Sequence, residues 1–478
     1  MNEKEIAQYE KLILRPVDRL IATLAIPTVI SMLTTMIYNL VDAYFVGRLG
    51  TSAAAAIGIL ASVQAVFQAV GFMFGQGSGS GISVSLGEGE QEEASKIGST
   101  GFLWSLIFAT ILACAGFGVL SPMLRFLGST ETILPYARTY AIFILVAGPA
   151  MAGSCVLNNI MRYEGKAFWA MIGLVTGGVL NMIGDPIFMF GMGMGIAGAG
   201  LSTALSQYIS FGILLYMFLS GKTITRMGLR YVSTDPSVLF RIIRRGLPSL
   251  IRQLLHSLAT AALNICAKPF GDAAIAAMAI VGRVAMFIGS TMIGIGQGFQ
   301  PVSGYNYGAR KYKRLREAFF FTWKVGEILL SSLAILGFLF PEPIVRLFRD
   351  DPEVVLYGVP ALRFQCIALI LQPFSVCSNM LFQSIGRTRV ASFLSMLRGG
   401  LCYVPVLLIL PRFIGFTGIQ CAQAIADVLT MAITVPFTIY FFRHTSAENE
   451  VAPIDEKYAA ATGIHPETVQ SAADTRTK

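Results

Sequence analysis

Charge is what this sequence has least of. Asp, Glu, Lys and Arg make up 13% of its 478 residues, about half the share of roughly 25% found in soluble domains. A water-soluble enzyme of this length is excluded on that ground. Histidine is nearly absent, with 3 residues. The 7 cysteines include no Cys-x-x-Cys pair; all fall inside apolar runs and are read as small packing residues, not as disulfides or metal ligands. There is no GxxxxGK[ST] phosphate loop, so nucleotide-driven work is not expected of this chain. Gly77-Ser78-Gly79-Ser80-Gly81 is rich in glycine but lies inside an apolar run with no strand before it. A cleavable signal peptide is not visible either: residues 1–19 are polar and charged, and the first apolar run is long enough to span a bilayer. The expectation is a protein that is not an enzyme, with no cofactor and no resident metal.

What is present is apolar length. Hydrophobic residues reach 54%, and runs of about 20 of them recur between short polar breaks, as membrane-spanning helices require. Twelve spans are read, near 20–46, 53–80, 98–120, 133–158, 167–190, 196–219, 240–267, 274–300, 318–340, 354–380, 390–410 and 417–442. A spanning barrel would show alternating strands of about ten residues, which these uninterrupted runs do not. The net charge of +9 does not indicate nucleic acid, because Lys and Arg are spread over short loops. They concentrate before the first span and after the fourth, sixth, eighth and tenth, for example at Arg162, Arg241, Arg244, Arg245, Arg310 and Lys311. The positive-inside rule then places both termini in the cytoplasm of a multi-pass cell-membrane protein, with lipid as its surroundings.

The chain also repeats itself at a spacing of 221 residues. Pro27 matches Pro248, Gly50 matches Gly271, and Gly75-Gln76-Gly77 matches Gly296-Gln297-Gly298. Asn158 meets Asn379 and Gly165 meets Gly386; one residue is then lost, so that Gly195 meets Gly415. Each repeat holds six spans, an even number, so both halves enter from the same side. The expected fold is all-α and integral to the membrane, two six-helix bundles related by a pseudo-two-fold axis along the membrane normal, as in two-lobed transporters. The organisation is then a cytoplasmic N-terminal segment 1–19, an N-lobe 20–219, a linker 220–239, a C-lobe 240–443 and a disordered cytoplasmic tail 444–478. Ile6, Tyr9, Leu12 and Ile13 make the N-terminal segment amphipathic, suited to the membrane interface. Most of the 48 glycines are read as close-packing positions between helices.

Ionisable groups inside a span are costly, so each is a candidate site. Asp42 ends the first span, with Tyr38 and Asn39 four and three residues before it on the same face. Asp185 ends the fifth, with Asn181 one turn earlier and Pro186 after it. Span six contributes Thr203 and Gln207. Asp42 lies six residues from Arg48, about 9 Å at helical rise, and the other groups sit at similar depth, in the outer half of the bilayer. Two carboxylates with amide and hydroxyl oxygens form a proton or hard-cation site. The bland alternatives are an Asp185 that stabilises a helix break and an Asp42 solvated in a vestibule. The repeat discriminates: the partners of Asp42 and Asp185 are Leu263 and Val406, and a structural role would more naturally recur in both halves. The second half instead carries Arg252, Gln253, His256, Arg283, Gln297, Arg363, Arg398 and Asp427. Asp427 is expected to pair with one of the arginines, and some of these groups to line a substrate cavity.

At these residues the chain resembles the multidrug and toxic compound extrusion (MATE) transporters, in their DinF-like and MepA-like branch. The resemblance runs from about residue 16 to 443. It rests on Tyr38-Asn39-Leu40-Val41-Asp42, on Asn181 with Gly184-Asp185-Pro186, on Gly296-Gln297-Gly298-Phe299-Gln300-Pro301 with Gly304-Tyr305-Asn306-Tyr307-Gly308-Ala309, and on Gln423-Ala424-Ile425-Ala426-Asp427. It implies two bundles in a V, alternating access, and export driven by inward H+ or Na+. It would assign Asp42, Asn181, Asp185 and Thr203 to the ion site of the first lobe. The acids that the NorM-like branch places in spans seven and ten have no counterpart here. The substrate implied is a small organic cation or amphipathic molecule. The rival readings are a flippase for a lipid-linked precursor, which the second-half arginines would suit, and a membrane enzyme or sensor, for which no catalytic constellation is visible.

Overall fold

The computed structural model describes Met1, residues 3–445 and residues 453–463. Among them every regular element is helical. A short N-terminal helix α1 (Glu3–Tyr9) runs into a π-helical turn, Glu10–Leu14. The first half of the chain then forms α2 (Val17–Gly47), α3 (Thr51–Gly87), α4 (Gln91–Gly118), short α5 (Leu120–Phe126), α6 (Leu134–Tyr163), α7 (Ala167–Pro186) and α8 (Ile196–Leu219). The second half repeats the series as α9 (Pro236–Ala267), α10 (Asp272–Gly308), α11 (Tyr312–Leu339), short α12 (Pro341–Phe348) and α13 (Pro352–Ser384). There follow a broken span α14 (Thr388–Met396), α15 (Tyr403–Ile409) and α16 (Pro411–Ile414), then α17 (Phe416–His444). A last helix, α18, covers Pro453–Thr462.

Eleven of the twelve expected spans are helices long and apolar enough to cross a membrane. The twelfth, α9, is continuous over 32 residues. Its length suffices, and Arg241, Arg244, Arg245, Arg252 and His256 are what set it apart from the apolar group. Both α3 and α10 have 37 residues, about 55 Å at helical rise. The hydrocarbon core is about 30 Å thick, so each of these helices runs well beyond it.

The sequence repeat is also a repeat of backbone geometry. Gly50 and Gly271 have φ of 114° and 91°, Gly165 and Gly386 of 74° and 79°, and Gly195 and Gly415 of 56° and 60°. These are left-handed conformations that a side chain disfavours. One side-chain bond recurs as well. Asn158 Nδ2 donates to the carbonyl of Ala170 at 2.8 Å, and Asn379 Nδ2 to the carbonyl of Ala391 at 2.8 Å.

The described residues divide into two compact units whose limits fall inside helices. One holds residues 1–29 and those from 247 onwards, and the other residues 30–246. The first halves of α2 and α9 therefore pack with elements of the other repeat. Glycine permits both contacts. In the first unit a Cβ on Gly294 or Gly298 of α10 would lie 2.7 Å from Val29 Cα or 2.6 Å from Ala25 Cα of α2. The Thr28 hydroxyl donates across this crossing to the Gly294 carbonyl at 2.6 Å. In the second unit the same crossing joins α3 to α9: a Cβ on Gly77 would fall on the carbonyl of Ile242, and one on Gly246 on that of Met73. Gly77 and Gly298 are repeat partners, as are Gly246 and Ala25.

Two expectations about the termini fail. Tyr9, Leu12 and Ile13 are fully enclosed by protein instead of lying on a membrane surface. A disordered tail over 444–478 is also wrong where residues are described: 453–462 form a docked helix with Ile454 and Asp455 buried. Its inward side carries the apolar and aromatic groups that the tail's overall polarity masks. Residues 446–452 and 464–478 lie outside the described residues.

Candidate ion-coupling site

The site forms where α7 breaks. Pro186 supplies no N–H and crowds the carbonyl four residues back. A π-helical turn, Ile187–Gly191, follows directly. Glycines then let the neighbouring helices close around this point. A Cβ on Gly198 of α8 would stand 2.6 Å from the Phe188 carbonyl carbon, one on Gly184 would stand 2.5 Å from Ser202 Oγ, and one on Gly178 would touch Tyr38 at 3.2 Å.

Asp42 from α2 and Asp185 from α7 meet in this space, their carboxyl groups within hydrogen-bonding reach of each other. Asp185 is fully buried and Asn181 nearly so. Asn181 Nδ2 points at Asp185 Oδ1 (3.1 Å), Ser202 Oγ (3.3 Å) and Thr203 Oγ1 (3.4 Å). The Ser202 hydroxyl donates to the Asn181 carbonyl at 3.2 Å. Tyr38 lies beside Asp42. One oxygen on each acid, Asp42 Oδ1 and Asp185 Oδ2, is buried without a hydrogen-bond donor among the described residues. Carboxylate oxygens only accept. Two carboxyl groups that meet while each keeps such an oxygen call for a shared proton or a cation.

Of the residues singled out from sequence, Asp42, Asp185, Asn181, Thr203 and Tyr38 come together. Asn39 does not join them: it is exposed, since the three-residue step from Asp42 turns it off the packed face. Gln207 is half-buried one turn past Thr203 and outside these hydrogen bonds. Two members were not singled out. Tyr140 of α6 is enclosed beside Asp42, within reach of Thr203, and its hydroxyl accepts from Gln64 Nε2 of α3 at 3.4 Å. The repeat held the signal for both, because their partners are Ala361 and Ala285.

The second-half candidates scatter. Arg398 grips Asp427 through Nε at 2.9 Å and Nη2 at 3.3 Å, and Gln423 Nε2 donates to the same carboxylate at 3.0 Å. His256 faces Arg398. Arg252 Nη1 reaches Asn379 Oδ1 at 3.5 Å. Gln297 is buried in α10 and Gln253 half-buried in α9. Arg283 is exposed, and so is Arg363, which sits 5.6 Å over the Phe338 ring. No group of three or more His, Cys, Asp or Glu able to hold a metal occurs among the described residues.

Comparison with known proteins places the chain among transporters. The MatE family model matches twice, over residues 27–187 and 248–409. The chain is 25% identical over 444 residues to the multidrug export protein MepA of Staphylococcus saprophyticus, covering 93% of this chain and 97% of that protein. It is 24% identical over the same length to MepA of Staphylococcus aureus strain MSSA476, with the same coverages. Among solved structures it superposes on a MATE protein in complex with MaL6 with a TM-score of 0.87 at 26% identity, over 93% of this chain and 99% of the other. An outward-facing multidrug resistance MATE transporter of the MOP superfamily gives 0.86 at 26%, over 91% and 98%.

Proposed function

The chain belongs to the MatE family, and from that membership we propose that it is a secondary active exporter of small organic compounds, working by cation antiport and alternating access. The observation that carries the proposal is the pair of donorless buried oxygens on Asp42 and Asp185. In this reading the pair takes up H+ or Na+ from outside, and Asn181, Thr203, Tyr38 and Tyr140 hold the acids in register. Ion and substrate need only prefer different states for one gradient to drive the other. Relatives named as multidrug export proteins support a substrate class of organic cations or amphipathic molecules. The protein would sit in the cell membrane with both termini inside.

The second-half arginines lend less to a lipid-precursor flippase than their number suggests. Asp427 takes up the fork of Arg398, and Arg363 stacks on a ring. The deciding experiment is gradient-driven movement of a fluorescent organic cation in proteoliposomes, with H+ and Na+ gradients varied separately. Asp42→Asn should cut coupled flux by about tenfold or more, the equivalent of 1.4 kcal/mol, while the protein still inserts and elutes as a folded species. Full coupled flux in Asp42→Asn would refute the assignment.

A further inference from the structure

We propose that the C-terminal helix α18 is an autoinhibitory strap, which holds the first half of α2 in place and slows the conformational switch. This rests on the transport reading above.

Asp455 of α18 is fully buried and accepts from Lys311 Nζ at 2.7 Å, in the turn between α10 and α11, and from the Tyr9 hydroxyl at 2.5 Å, in α1. Lys311 is buried as well, its side chain 3% exposed. Tyr9 also stacks on Tyr458 of α18, with ring centroids 4.4 Å apart, and the Tyr458 hydroxyl donates to Glu10 at 3.1 Å. Thus α18 wedges the N-terminal segment against the α10–α11 turn. That segment leads straight into α2. Arg314 of α11 donates to the carbonyls of Leu12 and Arg15, the last residues before Pro16 and α2. The next anchor along α2 is the glycine crossing on α10, at Ala25, Thr28 and Val29. Asp42 lies further along the same helix, in the other unit.

The chemistry of the clasp suits a releasable part better than a static one. A buried ion pair adds little net stability compared with an apolar pair of the same shape, because both charges are solvated once it opens. It does demand one register, since removing a single partner strands a buried charge. An element that docks in one register through an ion pair, with only a short apolar side of Ile454 and Tyr458 behind it, has the properties of a strap. Release would remove the α18 clasp from the start of α2 and leave the contacts of Arg314 and Asn306 with the preceding segment and the glycine crossing.

The test uses the full chain in proteoliposomes. Hydrogen exchange is followed over residues 3–15, 17–29 and 453–463, and export is measured under a fixed gradient. Lys311→Met, and separately deletion of everything after Thr445, should speed exchange over 17–29 by about tenfold and raise the initial export rate at least about twofold. The paired change Lys311→Met with Asp455→Leu should keep α18 docked and return both readouts toward the parent. Exchange over 17–29 that stays slow once α18 is gone would overturn the proposal. So would faster exchange there with an export rate unchanged or lowered. The exchange readout needs no transport, so failure of the strap is separable from failure of the antiport reading.

Discussion

Glu164 is a carboxylate completely enclosed just past the end of α6. It accepts from the amides of Ile224 (2.9 Å) and Thr225 (3.1 Å) and from the Thr225 hydroxyl, and so pins the segment after α8 to the end of α6. Burial pushes its carboxyl up to about 7, against the pull of those donors. A folded value above the unfolded one of about 4.3 means that the native state holds the proton more tightly. The contribution is complete below about pH 4.3 and lost as pH rises through about 7, at most roughly 4 kcal/mol. Exchange at Ile224 and Thr225, corrected for its intrinsic rate, should therefore quicken between about pH 6 and about pH 8, and Glu164→Gln should flatten that profile. At this scale the sequence is informative where a residue breaks a rule. An acid inside an apolar run stands out on cost alone, which is why Asp42 and Asp185 are legible. Tyr140 is not, because tyrosine is ordinary in a span and its position beside Asp42 depends on how α6 is rotated. Asn39 shows the converse, since shared face by spacing does not fix which part of that face is covered.

Among the helices, Gly77 and Gly246 in one unit and Gly294 and Gly298 in the other decide where long helices touch. Gly246→Ala is expected to cost about 1–3 kcal/mol, the range for overpacking, because its new methyl would fall on the Met73 carbonyl, a backbone atom that cannot step aside. Gly58→Ala, with nothing within 4 Å, is the control and should stay within about 0.5 kcal/mol. Thermal unfolding in detergent reads the difference. Most helices are legible from apolar length, and the turns from glycines with positive φ. The docking of α18 is not, since Ile454, Asp455 and Tyr458 in a polar stretch look like any tail until Tyr9 and Lys311 stand opposite them.

For the molecule as a whole, basic residues on alternate loops predict that reporters fused before α1 and after α17 both read as inside the cell. A fusion after Phe126, in the loop following the third span, should read as outside. An inverted result would reverse the proposed direction of transport. The chain by itself determined its solvent, its helices and its duplication, because each is a local or periodic property: burial cost per residue, apolar length, and identity at a fixed spacing. It also pointed to the two acids, since charge in lipid is expensive wherever the helix goes. Only the tertiary structure decided that the first halves of α2 and α9 pack with the opposite repeat. The same holds for the meeting of Tyr140 and Gln64 with the acids and for the closing of the far end of the chain over its beginning. Those are contacts between residues tens to hundreds of positions apart, and covalent order does not set them. They follow from where glycines let backbones approach and where buried polar groups find partners.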